Sequence, residues 1–195
     1  MNVACVRAVV TGSQIASGIT RLYRDASQVD ADLKLEKALK AGIEAGKKDF
    51  LYMNNLSDFG YYDVKVIEGR VLLVGMVFDK KTQSYLVTKI RENLKVRELL
   101  DELKLEERRG TAMMKIDDYF LERNINTKIF LKSKIKSLNY EIVVVDRKAY
   151  VIGIAENNEE HELLTKIIST VSGVREVISH VITVNSAKKL KIEYI

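Results

Sequence analysis

Between Tyr61 and Ile67 apolar and polar residues alternate, the period of a strand with one buried face. Glu68-Gly69 is a tight-turn pair, and Arg70 to Val77 returns as a second strand, so the segment predicts a β-hairpin. Upstream, Leu35, Leu39 and Ile43 repeat at helical spacing, with Asp30 or Asp32 as the helix cap. Downstream, Asp79 to Leu94 carries Leu86, Ile90 and Leu94 on one helical face. Val96 to Leu105 closes the series, and its Val96, Leu99, Leu100 and Leu103 fit a helix when read alone. Gly46 to Gly60, with Phe50, Tyr52 and Phe59, reads as an insertion ahead of the hairpin.

The same order then recurs. Asp117 or Asp118 opens a helix carrying Leu121, Ile125 and Ile129. Tyr140 to Val145 and Lys148 to Ile154 form a hairpin around Asp146-Arg147. A helix follows from Asn157 to Val171, and a strand rich in β-branched residues from Val174 to Val184. Sliding the chain by 78 residues lays Gly75 on Gly153, Tyr62 on Tyr140, and Val96-Arg97-Glu98 on Val174-Arg175-Glu176. A one-residue gap brings Leu86 to Ile90 onto Leu163 to Ile167. Since Leu99 and Leu103 fall on Val177 and Val181, the closing segment of the first unit is assigned as a strand despite its local helical spacing.

The expected fold class is therefore α+β: two tandem α-β-β-α-β domains, each with a three-stranded mixed sheet packed by two helices. The divisions are a flexible N-terminal segment at 1–27, a first domain at 28–106, a second at 112–185 and a basic C-terminal tail at 186–195. Units of about 75 residues bury a marginal core alone, so the two are expected to pack together.

Composition narrows the function classes. The chain has 195 residues, 47% hydrophobic and 30% charged, enough to build a core. A net charge of +5 favours anionic partners. No proline is present, so turns fall to Gly, Asn and Asp. Cys5 is the single cysteine, and no run of about 18 apolar residues predicts a transmembrane helix. Asp117 and Asp118 read as helix caps, and His161 and His180 stand without Cys or His neighbours. No Gly-rich phosphate loop, nucleophile elbow or HExxH motif occurs. No catalytic residue, metal ligand or cofactor is assigned, and the expectation is a protein that is not an enzyme.

The strand pairs Val64 to Gly75 and Ile142 to Gly153, the Val96-Arg97-Glu98 and Ser172-Gly173-Val174-Arg175-Glu176-Val177 segments, and the helix at Asp118 resemble the BON family, named for bacterial OsmY and nodulation proteins. The likeness covers roughly Gln28 to Val184 and extends to the dual-BON outer-membrane lipoproteins of Gram-negative bacteria. Cys5, the small residues Val6 to Gly18 and Arg24-Asp25 are similar to their lipidated start. Lys95 departs from the pattern, standing where the second copy has Gly173. The resemblance implies a periplasmic, outer-membrane-associated protein that binds phospholipid and maintains envelope integrity, provided that a signal peptide precedes this sequence. It makes Cys5 the lipid-attachment residue and the helix after Asp118 the lipid-facing element.

Helical geometry supports that helix as an interface. With Leu121, Ile125 and Ile129 facing the core, Tyr119, Phe120, Arg123, Thr127 and Phe130 fall on the opposite side, with Lys128 beside them. Rings next to cations suit a membrane boundary, where the rings enter the headgroup layer and the cations meet anionic lipid. The expected partners are an anionic phospholipid surface and envelope proteins. The alternative is a cytoplasmic nucleic-acid-binding or protein-recruiting module. Nucleic acid is not expected, because no G-x-x-G loop joins two helices and the aromatics sit on a helix rather than a sheet.

Overall fold

A computed structural model describes residues 24–106 and 112–186; Cys5 and the tail from Ala187 lie outside these. The element order is α1 (Ala26–Met53), β1 (Gly60–Ile67), β2 (Arg70–Val77), α2 (Lys80–Arg91), β3 (Glu98–Leu105), then α3 (Ala112–Phe130), β4 (Tyr140–Val145), β5 (Lys148–Ala155), α4 (Asn158–Ser169) and β6 (Glu176–Thr183). Each unit holds one three-stranded sheet, in the orders β1-β2-β3 and β4-β5-β6. The first pair in each sheet is antiparallel and the second parallel. Val96 to Leu105 is thus resolved in favour of the repeat, since Glu98–Leu105 is a strand.

Both units keep the same register. Tyr62 faces Gly75 and Tyr140 faces Gly153; Gly75 faces Leu103 and Gly153 faces Val181. A Cβ at Gly75 would lie 2.2 Å from the Tyr61 carbonyl oxygen, and one at Gly153 2.3 Å from a Tyr140 ring carbon, so the partner strand demands glycine at both. Both hairpins turn through two positive-φ residues, Glu68 and Gly69 at 55° and 72°, Asp146 and Arg147 at 49° and 61°. That is the mirror-image turn whose twist matches the strands it joins.

Buried carboxylates hold these turns. Asp32 accepts from the Glu68 and Gly69 amides at 2.8 and 3.0 Å, and Asp118 from the Asp146 and Arg147 amides at 2.8 and 2.9 Å. The predicted caps are corrected accordingly. Asp32 and Asp118 sit inside their helices because a turn, not the helix end, needs their oxygens; Asp25, which accepts from Gln28, caps α1. Asp79 and Asn157 cap α2 and α4 at equivalent positions. Leu86 then matches Leu164 and Ile90 matches Ile168, all buried, so the helices align without the one-residue gap. Gly46 to Met53, expected in an insertion, belongs to α1, because an aromatic cluster rewards continuing the helix.

Even the sheet edges are duplicated. Gln83 donates to Asp101, which accepts from the Leu103 amide; 78 residues on, His161 hydrogen-bonds Ser179, which accepts from the Val181 amide. Different side chains occupy the same outward-facing amide, blunting each edge strand. Lys95, unlike Gly173 with its φ of 104°, keeps a negative φ. The two last turns still make one common bond, Arg97 N–H to Gly69 and Arg175 N–H to Arg147.

Alternation then divides the core into three. On β2, Val71, Leu73 and Val77 face α1 and α2 with Leu35, Leu39, Ile43 and Leu86. On β5, Ala149 and Val151 face α3 and α4 with Leu121, Ile125 and Leu164. The intervening Leu72 and Val74 meet Tyr150, Ile152 and Ile154 across the unit boundary. The molecule is a helix–sheet–sheet–helix sandwich, which explains why β2 and β5 are nearly continuous apolar runs. Polar contacts pin the seam: Arg70 donates to the His180 carbonyl at 2.9 Å, His180 meets Glu102 at 2.9 Å, and Arg24 reaches the Leu138 carbonyl at 3.2 Å.

Candidate functional site: the outer face of the second-unit helix

Leu121, Ile125 and Ile129 are buried, which turns the opposite side of α3 to solvent. Tyr119, Phe120, Arg123, Thr127 and Phe130 are all exposed there, and Lys128 is exposed at the margin of the core stripe. Phe120 is 59% accessible and Phe130 73%. Tyr119 and Phe120 stand edge to face at 5.8 Å, and Arg123 both covers the Tyr119 ring at 5.7 Å and donates to its hydroxyl at 3.2 Å. Thr127 returns its hydroxyl to the Arg123 carbonyl at 2.9 Å, so it belongs to the helix more than to the surface.

Ile116 at 51% exposure and Leu131 at 73% join the face and were missed in the sequence. Counting angles from a helix stripe would have found Ile116. Leu131 lies just past the helix end, where the 100° rule lapses. Phe130-Leu131 forms an exposed apolar tip, with exposed Lys128, Lys132 and Lys134 close by in sequence.

Alignment on the turn-holding aspartates, 86 residues apart, places each of these residues against one of α1. Leu35, Leu39 and Ile43 match Leu121, Ile125 and Ile129, so the core stripes are the same. Outside, Asp30 matches Ile116, Lys34 matches Phe120, Glu44 matches Phe130 and Ala45 matches Leu131. Helices doing the same structural job therefore present opposite surfaces.

Between this face and the seam lies Glu122, whose carboxylate accepts from the Val144 amide of edge strand β4 at 3.2 Å. Burial pushes its carboxyl up to about 7, against the pull of that amide and of Lys65. Facing it on β1, Asp63 is held below the ordinary range: burial would raise it, but Lys65 and Lys40 outweigh that. Lys115 caps the Tyr61 ring at 5.5 Å.

Among the described residues no three His, Cys, Asp or Glu side chains gather as a metal site would require. None of the described helices is long and apolar enough to cross a membrane.

A BON domain is matched at residues 117–185, beginning beside Asp118 and taking in most of α3 and the whole second sheet. A protein of Anaplasma centrale described as an uncharacterized protein in the gshII 5' region is 32% identical over 125 residues, covering 63% of this chain and 82% of that one. Among solved structures, the C-terminal domain of CdsD, the structural protein of the type III secretion system of Chlamydia trachomatis, is matched at 11% identity and a TM-score of 0.31, over 70% of this chain and 96% of that one. A second CdsD structure gives 10% identity and a TM-score of 0.31, over 76% of this chain and 68% of that one. Likeness at that score establishes neither a shared fold nor a shared role.

Proposed function

This chain belongs to the family of the Anaplasma centrale protein and has a BON domain at residues 117–185; on that premise we propose that it is a dual-BON envelope protein that binds phospholipid surfaces through the outer face of α3. The first unit, residues 28–106, is the diverged second copy, and the protein acts by binding rather than by catalysis. On this reading it works in the periplasm at the outer membrane, Cys5 is its acylation site, and envelope proteins are its further partners.

The observation that carries the reading is the contrast between α1 and α3. Four positions that are charged or small on α1 are Ile116, Phe120 and Phe130 on α3 and Leu131 just past its end, and all four are exposed. A face kept apolar where its duplicate is polar has a partner to meet. Arg123 and the lysines near the tip favour an anionic one. Each cation near such a surface contributes about 1 kcal/mol, and each partly inserted ring less than the roughly 1.5–3 kcal/mol of full burial. Binding of this strength is reversible, and serves to orient a protein held by an acyl chain.

Flotation with phosphatidylglycerol and phosphatidylcholine vesicles tests the proposal. Wild type is expected to float with the anionic vesicles, and Phe120→Asp/Phe130→Asp to stay at the bottom while keeping its circular-dichroism melt. Equal behaviour of the two proteins on both vesicles would remove the lipid assignment.

A further inference from the structure

The two turn-holding aspartates differ in what else they hold. Asp32 accepts from its two turn amides and, on the same carboxylate, from the Arg24 guanidinium at 2.9 Å. Arg24 is buried, and its other terminal nitrogen donates to the Leu138 carbonyl at 3.2 Å, so one guanidinium ties the first unit's clasp to the second unit's backbone. Asp118 is equally buried and accepts from its own two turn amides, but it makes no ion pair among the described residues. α1 starts at Ala26 and α3 at Ala112, and the same register puts Gly110 at the position of Arg24. The second clasp therefore has a glycine where its duplicate has a cation.

Sheet packing supplies the other half of the comparison. Glu102 and His180 occupy equivalent positions, 78 residues apart, and meet each other across the seam, as residues on an approximate two-fold axis do. The same relation turns the pair Asp32 and Leu138 into Asp118 and Gly60. Those two residues line one cavity of about 150 Å³ at the unit boundary, whose lining also includes Asp58, Tyr61, Phe78 and Lys115. The place that a guanidinium fills at one end of the molecule is thus a cavity at the other. Its charge suits a cation. Two carboxylates, Asp58 and Asp118, stand against the single Lys115, whose ammonium lies over the Tyr61 ring at 5.5 Å and makes no ion pair among the described residues. The Tyr61 hydroxyl is pushed up to about 12, by burial first and then by carboxylates that include Asp118, against the pull of Lys65. A carboxylate has about four acceptor sites, and Asp32 shows that two turn amides leave room for a guanidinium.

We propose that this cavity binds a small alkylguanidine. Its guanidinium bridges Asp118 and the Gly60 carbonyl, as Arg24 bridges Asp32 and the Leu138 carbonyl, and its stem lies against Tyr61 and Phe78. The site is separate from the exposed face of α3 and does not depend on the membrane reading.

Amide NMR spectra of the full chain, titrated at constant ionic strength with butylguanidinium and butylammonium, test this. Butylguanidinium is expected to shift the Asp146 and Arg147 amides and those from Lys115 to Asp118. It should bind about tenfold more tightly than butylammonium, whose compact head spans two acceptors poorly. Asp118→Asn lowers the affinity by about tenfold or more, and Asp58→Asn, which leaves the clasp intact, by roughly threefold. Lys115→Val, which copies Val29 of the first unit, removes a competing charge and raises the affinity roughly threefold. Gly110→Arg, which copies Arg24, supplies the cation internally and abolishes binding while the circular-dichroism melt is kept. Absence of shifts at the second turn, equal affinity for the two cations, or unchanged binding by both Asp118→Asn and Gly110→Arg would overturn the proposal. Binding that appears only in Arg108→Ser/Arg109→Ser would assign the cavity to the chain's own arginines and overturn it equally.

Discussion

Asp32 and Asp118 clasp the same pair of turn amides, yet two residues along each helix Lys34 stands in one unit and Phe120 in the other. The devices that build the fold, from turn clasp to edge-strand block, are common to both copies. The second copy carries an apolar outer face on its first helix, and the first an extended α1 that packs Phe50 against Tyr85. The outer helical surfaces of the two units differ, while the sheet surfaces between them pack on one another. The lesson is that in a repeat, function is best sought where the equivalent positions disagree.

The comparison can be broken at its most buried point. Ile152 packs from the second sheet onto the first, and Ile152→Ala should cost about 2–5 kcal/mol in a single cooperative transition that includes both units. Two separate transitions in chemical denaturation would show that the units fold independently. Next comes the clasp: Asp118→Ala takes the acceptor from two partly exposed turn amides, for about 1–2 kcal/mol. Asp32→Ala should cost more, because Arg24, bonded to Asp32 at 2.9 Å, is left buried without its counter-ion. Equal losses in parallel urea titrations would contradict that ranking.

Glu122 sharpens the comparison through pH. Its folded carboxyl titrates near 7 against an ordinary value of 4.5, so the folded state holds the proton more tightly than the unfolded one. Stability is then expected to fall as pH rises from about 4.5 to about 7, by at most about 3 kcal/mol. Glu122→Gln should abolish this slope and stabilise the protein by about 1–2 kcal/mol at pH 8. A slope that persists in the variant would assign it to another group. The smallest change in stability per substitution belongs to the surface exchange Ile116→Asp/Phe120→Lys/Phe130→Glu/Leu131→Ala, which gives α3 the face of α1. It should move stability by within about 0.5 kcal/mol per site and still abolish flotation with anionic vesicles.

Much of this was legible in the amino-acid sequence. Positive-φ turns announce themselves at Glu68-Gly69, and the alternation in β1 fixes which residues face the helices. The repeat even overrode a local error at Val96 to Leu105, where leucines mimic a helix but pair as a strand beside β2. Three features were hidden. An aspartate inside a helix looks like a cap unless the distant turn it serves is seen. The extension of α1 follows from tertiary aromatic contacts that no local propensity encodes. The α2–α4 match invited a false gap, because Leu163 and Leu164 are adjacent and only packing tells which of them is buried. Of the site, the core stripe and most of the outer face followed from helical periodicity, while Leu131 lay beyond its reach.

The face-to-face sheets also impose an order on biosynthesis. The first unit leaves the ribosome with Leu72, Val74 and Met76 on a bare sheet surface, and its cover is a sheet whose last strand ends at Thr183. At 5–20 residues per second the remaining stretch takes several seconds to about a quarter of a minute, during which a sticky half-molecule must be shielded. A half-molecule of this design is accordingly expected to need a holding chaperone, in whichever compartment it folds, until the second sheet covers it.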